Sequence, residues 1–159
     1  MAANTDYSHR SAVQKLGVKR EQRVEVAGDV GAGVRRDIKE VTGRGLVRSG
    51  EIDGAIVLVE SIEEAKEAFD RFRPRLRDTG CLWLITWKRG HDAYVNQMTL
   101  VPAAKKRGLI DNKTCSIDDE RSGIRFVVPR LLRGPASRDG AGAPAARVIR
   151  PTLAERRGA

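Results

Sequence analysis

Two apolar runs separated by a helical pattern constrain the fold of this chain more than any other feature of its sequence. Residues 54–60 read GAIVLVE and residues 81–87 read CLWLITW. Such nearly continuous apolar runs are typical of strands that are buried on both faces, as in a parallel sheet. Between them, Ser61 and Glu64 have the S-x-x-E spacing of a helix-capping box, and apolar residues then recur at helical intervals. The sequence therefore predicts a strand–helix–strand unit with parallel strands.

The residues before this unit predict a helix, a strand and a second helix. Residues 8–17 start with a potential N-cap serine and end in glycine, which indicates a short helix. Residues 22–27 alternate between polar and apolar side chains, as a strand does. Apolar residues at helical spacing then predict a helix over 32–42, which Gly43 would end in a left-handed conformation. The glycine-rich residues 43–53 are predicted to form a loop.

The second half of the chain predicts one more helix and a hairpin. Pro74 should loosen the last turn of the helix that precedes the second apolar run. Residues 88–97 are polar and indicate a loop, and Pro102 indicates the first turn of a short helix. Residues 112–117 and 123–128 predict an antiparallel hairpin at or near one edge of the sheet. The predicted fold is α/β, with three layers and about five mostly parallel strands.

The distribution of charge predicts a folded domain followed by a tail. The chain has 159 residues and a net charge of +9, and residues 130–159 contribute seven arginines against Asp139 and Glu155, a net +5. Gly, Ala, Pro and Arg dominate after Leu131, a composition that cannot build a core. We therefore predict a domain over residues 1–130 and a flexible basic tail over 131–159. Residues 130–159 could bind nucleic acid through phosphate contacts.

Neither a metal site nor a membrane segment is predicted. Cys81 and Cys115 fall in different predicted strands and are expected to be reduced and buried, and the two histidines, His9 and His91, lie far apart. No run approaches the roughly 20 apolar residues of a membrane helix. The N-terminus has no apolar signal region, so a cytoplasmic location is predicted.

The order of elements resembles a shortened class I methyltransferase sheet. It is more closely similar to a bacterial domain of unknown function, a small Rossmann-like group common in actinobacteria. The stretches that carry this similarity are SHRSAVQKLGVK, LWLITWK and GLIDNKTCSIDDERSGIRFV, which together span most of residues 8–130. The resemblance implies a small Rossmann-like fold and no particular activity.

The sequence departs from that family at two places. The family's usual Trp-Ser-Gly before the last strand is Arg121-Ser122-Gly123 in this chain, and its usual Trp-Pro-Lys after the central strand is Trp87-Lys88. A pocket shaped by the missing tryptophan or proline would differ here.

Residues 24–34, VEVAGDVGAGV, contain part of a methyltransferase-like cofactor loop. Asp29, Gly31 and Gly33 form the pattern D-x-G-x-G, in which glycines let the main chain approach a cofactor. The third small position is occupied by Arg35, and no strand is evident in 43–53 to carry the second acidic residue. A structural turn is the favoured interpretation. A nucleotide or S-adenosylmethionine loop, and phosphate binding at the helix N-terminus, remain alternatives.

A second candidate site follows the second apolar run. Open α/β sheets bind ligands at the carboxyl ends of their strands, where residues 88–92 read KRGHD. Lys88 and Arg89 could bind an anion, His91 could act as an acid or base, and Trp87 could form a pocket wall. A solvated polar loop is the favoured interpretation of 88–92.

The residues leave three functions open and identify no catalytic residue. The leading hypothesis is a non-catalytic, small-ligand-binding or regulatory protein that recognises a small anionic ligand and has no predicted cofactor. The alternative is a minimal S-adenosylmethionine-dependent methyltransferase. A weaker alternative is a nucleic-acid-associated protein that acts through its basic tail.

Overall fold

The computed structural model describes residues 12–133, which contain five strands and four α-helices. The strands are β1 (Val24–Ala27), β2 (Ile52–Leu58), β3 (Leu76–Trp87), β4 (Ile110–Ser116) and β5 (Arg121–Val127). The helices are α1 (Ala12–Lys15), α2 (Val34–Thr42), α3 (Ile62–Phe72) and α4 (Val101–Lys106). None of the helices in this range has the length and apolar character that a membrane-spanning helix requires. The tail predicted over 131–159 lies outside the described residues from residue 134 onward.

The five strands form one sheet in the order β1-β2-β3-β5-β4. β1, β2 and β3 are parallel, whereas β5 is antiparallel to both β3 and β4. The predicted α/β fold with a C-terminal antiparallel hairpin is therefore confirmed. The hairpin is inserted so that its second strand lies against the centre of the sheet and its first strand forms the edge.

Each face of the sheet carries its own hydrophobic core, which gives the fold its three layers. On one face, residues of α1 and α2 such as Val13 and Ile38 pack with Ile56 and Trp83. On the other face, residues of α3 such as Phe69 pack with strand residues including the buried Leu84. Alternate side chains of a strand point to opposite faces, so a strand buried on both faces must be apolar at almost every position.

The predicted helix signals are present in the structure. Ser61 accepts a hydrogen bond from the Glu64 main-chain N–H at 3.1 Å, while the Glu64 carboxylate accepts one from the Glu60 N–H at 2.8 Å. Pro74 lies in a 3-10 turn, Arg73–Arg75, that follows α3. Gly43 ends α2 with φ 74°, and its N–H donates to the carbonyl oxygen of Lys39.

The strand predicted from the apolar run 81–87 starts earlier than expected, because β3 already begins at Leu76 and includes Gly80. The pairing of β3 with β2 shifts register between Ile52 and Gly54. A Cβ atom at residue 80 would lie 2.5 Å from the Asp53 carbonyl oxygen, which is too close for any residue but glycine. Gly80 therefore lets the strand continue past the irregularity.

Candidate functional site

The carboxyl ends of the parallel strands and the start of β5 meet at one edge of the sheet. Residues 28–33 follow β1, and residues 88–96 follow β3. Because β5 runs antiparallel to β3, its first residue, Arg121, pairs with the last residue of β3, Trp87. The topology therefore brings Arg121 to the edge where open α/β sheets bind their ligands.

The Arg121 side chain connects the two predicted site loops. Its Nε donates to the Asp29 main-chain oxygen at 2.9 Å, and an Nη atom lies 2.8 Å from the Asp29 carboxylate. The other Nη atom donates to the Asp118 carboxylate at 2.8 Å. The centre of the guanidinium group also lies 4.5 Å from the ring centroid of Trp87. Arg121 is 8% exposed, so a buried cation lies between Asp29 and the Trp87 ring.

The glycine loop packs tightly against the turn between β4 and β5. Gly31 has φ 129°, a conformation that favours glycine, and a Cβ at this position would lie 3.4 Å from Asp118 and 3.2 Å from Val34. Gly33 caps α2 in a left-handed conformation, and no side chain caps this helix end. In a cofactor loop, glycines leave space in which the ligand lies close to the main chain. Beside Gly31, side chains of the protein itself border that space.

The outer side of β1 has no neighbouring strand. β1 is the first strand of the sheet, and residues 43–51 contain no strand. Residues 43–51 make one main-chain hydrogen bond to the outer side of β1, in which the Val47 N–H donates to the Val24 oxygen. The described residues therefore contain no strand in the place where a second acidic residue would lie, as the sequence predicts.

Trp87 is fixed by a hydrogen bond and stacks on His91. Its Nε1 donates to the Glu60 carboxylate at 2.7 Å. The rings of Trp87 and His91 are parallel within 4°, with their centroids 4.2 Å apart. The His91 Nδ1 accepts a hydrogen bond from the Ala93 N–H at 2.9 Å, which fixes the orientation of the ring. Trp87, His91 and Arg121 thus form one stacked group.

The two predicted anion-binding cations lie apart from that stacked group. Lys88 donates from its Nζ to the Ser116 hydroxyl oxygen at 2.8 Å. Arg89 is exposed, and its guanidinium lies 5.6 Å from the ring centroid of Tyr94. Both side chains contact neutral partners, so their positive charges are available to an anionic ligand.

The structure therefore joins Asp29, Trp87 and His91 through Arg121, a residue that was not among the predicted site residues. One signal could have found it: in an antiparallel hairpin next to β3, the second strand starts at the ligand edge. Glu60 was also missed, because its position depends on the parallel pairing of β2 and β3. Within residues 12–133, no group of three or more His, Cys, Asp or Glu side chains is arranged to hold a metal ion.

Comparison with known families identifies the chain as a member of the family described as "Protein of unknown function (DUF3052)". The family model matches residues 13–130, so it covers most of the chain and nearly all of the described residues. None of the curated proteins matches the sequence.

Solved structures with a similar fold are S-adenosylmethionine-dependent methyltransferases. The O-methyltransferase NcsB1 from neocarzinostatin biosynthesis, solved with S-adenosylhomocysteine and 1,4-dihydroxy-2-naphthoic acid, matches with a TM-score of 0.55 and 11% identity over 79% of this chain and 54% of its own. A Bacteroides fragilis methyltransferase solved with S-adenosylhomocysteine matches with a TM-score of 0.53 and 12% identity over 74% and 76%. Precorrin-6y C5,15-methyltransferase from Geobacter metallireducens also gives 0.53, at 11% identity over 74% and 85%. At these identities the likeness establishes a methyltransferase-like fold.

Proposed function

We propose that this chain is a non-catalytic, Rossmann-like binding protein that recognises a small anionic ligand at the carboxyl ends of its parallel strands. The observation that carries the proposal is the position of Arg121. Its guanidinium group contacts both Asp29, in the loop after β1, and Trp87, the last residue of β3.

The arrangement disfavours S-adenosylmethionine as the ligand. The acidic residue of the glycine loop, Asp29, is already paired with Arg121, and Gly31 borders the β4–β5 turn. Among residues 12–133, no strand lies on the outer side of β1 to supply a second acidic residue for a ribose. A cofactor of that size would have to displace Arg121 from its buried position.

A small anion fits the same arrangement better. The Asp29 carboxylate is 68% exposed, and an ion pair with so exposed a partner contributes at most about 1 kcal/mol. A carboxylate or phosphate group can therefore take the place of Asp29 beside Arg121 at little cost. Arg89, which is exposed and has no carboxylate partner in the described structure, adds positive charge at the same edge.

Calorimetric titration tests this proposal. Wild-type protein is titrated with phosphate, citrate, nucleotides, S-adenosylmethionine and S-adenosylhomocysteine. We expect saturable binding of a small anion, weakened at least 10-fold in Arg121→Gln and unchanged in Arg48→Gln, a control at an exposed position outside the site. Saturable binding of S-adenosylmethionine that is lost in Asp29→Ala would overturn the proposal.

The second candidate is a minimal S-adenosylmethionine-dependent methyltransferase. Its support is the fold-level likeness to two methyltransferases solved with S-adenosylhomocysteine. This candidate requires that Arg121 move away when the cofactor binds. It therefore predicts that Arg121→Ala increases the affinity for S-adenosylhomocysteine, whereas the leading proposal predicts no such binding in either protein.

A further inference from the structure

A cluster of positive side chains lies on β4 and β5, outside the site described above. Lys113 on β4 is paired with Arg125 on β5, which is in turn paired with Trp83 on β3. Paired residues project from the same face of a sheet, so Lys113 and Arg125 lie on the face that α1 covers at Trp83. Lys15 of α1 reaches this region, where its Nζ donates to the Ser116 main-chain oxygen at 3.0 Å.

Cys115 lies two positions from Lys113 along β4 and therefore on the same face of the sheet. Burial raises the pKa of the Cys115 thiol, and the charges of Lys15 and Lys113 act in the opposite direction. Cys115 pairs with Gly123, so no side chain on β5 separates the thiol from the diagonal neighbour Arg125. Lys15, Lys113 and Arg125 therefore surround one point on the sheet, which we call the cationic cluster.

The cationic cluster is not neutralised within the described structure. No side-chain hydrogen bond or ion pair joins Lys113 or Arg125 to any residue of 12–133, and the Nε atom of Arg125 is buried without a hydrogen-bond partner. Like charges placed directly opposite each other on neighbouring strands destabilise a sheet. An anionic partner at this surface would remove both the repulsion and the unpaired donor.

The cationic cluster also borders an open sheet edge. Among residues 12–133, β4 pairs only with β5, so its other side presents main-chain N–H and C=O groups without a strand partner, apart from the Ser116 oxygen, which accepts from Lys15. The register shift in β4 lies between Asp111 and Lys113, which leaves the pairing of Lys113–Ser116 regular. A short, straight stretch of edge therefore runs beside Lys113 and Lys15.

We propose that an acidic, extended polypeptide segment binds to this edge by adding a strand to β4. Main-chain hydrogen bonds to the edge groups of residues 113–116 other than the Ser116 oxygen would hold the segment, and acidic side chains at every second position would face the cationic cluster. Addition of a strand to an open edge is a general mode of peptide recognition. A nucleic acid would use the charges of the cluster but not the main-chain groups of the edge.

Binding of a synthetic peptide measures the contributions of the main-chain hydrogen bonds and of the charges. The probe is a fluorescein-labelled, capped seven-residue peptide with alternating glutamate and valine. We expect saturable binding by fluorescence anisotropy, and at least a 10-fold loss of affinity in Lys113→Glu because the reversed charge faces the glutamates. Lys105→Glu, which makes the same charge change on α4, should bind as the wild type does.

A second peptide isolates the main-chain contribution. The same sequence, N-methylated at alternate amides so that one side of the peptide cannot donate hydrogen bonds, should bind at least 10-fold more weakly. Equal binding of the two peptides, or no binding of the first peptide at about 1 mM, would refute the proposal. Tighter, Lys113-dependent binding of a 20-nucleotide single strand would assign the cluster to nucleic acid instead. A stable dimer that excess peptide does not dissociate, measured by light scattering, would assign the edge to a second copy of the chain.

Discussion

Arg121 is joined to Asp29 twice, through the main-chain oxygen at 2.9 Å and through the carboxylate at 2.8 Å. The two residues are 92 positions apart in the sequence. The double contact ties β5 to the loop after β1, and it does so at the edge where a ligand would bind. The Arg121 side chain therefore contributes both to the stability of the fold and to the arrangement of the candidate site.

Replacement of Arg121 should destabilise the protein. Arg121→Ala removes the hydrogen bonds to Asp29 and Asp118 and the contact with Trp87, and it leaves a cavity at a buried position. We expect the free energy of unfolding to fall by about 1–3 kcal/mol, measured by urea denaturation. Arg48→Ala, at an exposed position, should stay within about 0.5 kcal/mol of the wild type. Equal denaturation midpoints for the two variants would contradict this role of Arg121.

The two contacts of Asp29 should be separable by a double-mutant cycle. Asp29→Asn removes the charge of the carboxylate but leaves the main-chain oxygen that accepts from Arg121. We expect it to cost less than about 1 kcal/mol, because the carboxylate is largely exposed. In the Arg121→Gln background, Asp29→Asn should cost still less. Strict additivity of the two substitutions would show that the ion pair contributes nothing.

Gly80 should tolerate no side chain. In Gly80→Ala the new Cβ would lie 2.5 Å from the Asp53 carbonyl oxygen, so the main chain of β2 or β3 must shift. We expect a loss of stability of about 2 kcal/mol or more by thermal denaturation. Gly45→Ala is the matched control, because a Cβ at that position meets nothing within 4 Å. An equal melting temperature for the two variants would be inconsistent with the close approach of the strands.

The pH dependence of thiol alkylation should report the cationic cluster. Because burial raises the pKa of Cys115, its thiolate is scarcer at a given pH than that of a free cysteine, and alkylation should be slower than for a free cysteine at pH 8. Lys15 and Lys113 lower this pKa, so removal of their charges should raise it further. In a Cys81→Ser background, Lys15→Met and Lys113→Met should therefore each slow the reaction with iodoacetamide at that pH. A faster reaction in both variants would mean that access, not charge, controls the thiol.

The basic tail remains a prediction from the sequence, and truncation tests it. Deletion of residues 134–159 removes Arg138, Arg147, Arg150, Arg156 and Arg157 but keeps every residue that the structure describes. If the tail binds nucleic acid, the full chain should bind a DNA duplex with an affinity that falls steeply with salt, and the truncated chain should not. Equal binding by both chains would place the interaction in the folded domain.

Local patterns predicted most of the fold. The apolar runs gave β2 and the second half of β3, and the capping box placed the start of α3 at Ser61. Each of these signals is contained within a few residues, so no knowledge of distant contacts is needed. The early start of β3 was missed because its first residues are held in place by the register of β2 and by Gly80.

The candidate site could be predicted only in part. Asp29 and His91 could be identified because they follow the ends of β1 and β3, and parallel strands bring their carboxyl ends to the same edge of the sheet. What joins them is Arg121, whose position depends on the insertion of β5 beside β3. The sequence predicts a hairpin near an edge, but the choice between β4 and β5 as the inner strand depends on packing across the whole sheet.

The position of β5 between β3 and β4 also sets the order in which the sheet can form as the chain is synthesised. β4 precedes β5 in the sequence, but its only strand partner is β5, and one side of β3 likewise stays open until β5 arrives. β1, β2 and β3 can pair as soon as residue 87 is available, since they need no later strand. The last strand then closes two gaps at once, and the same event brings Arg121 to the glycine loop. A chain that stops before β5 would therefore leave β4 without its strand partner and would lack the residue that connects the candidate site.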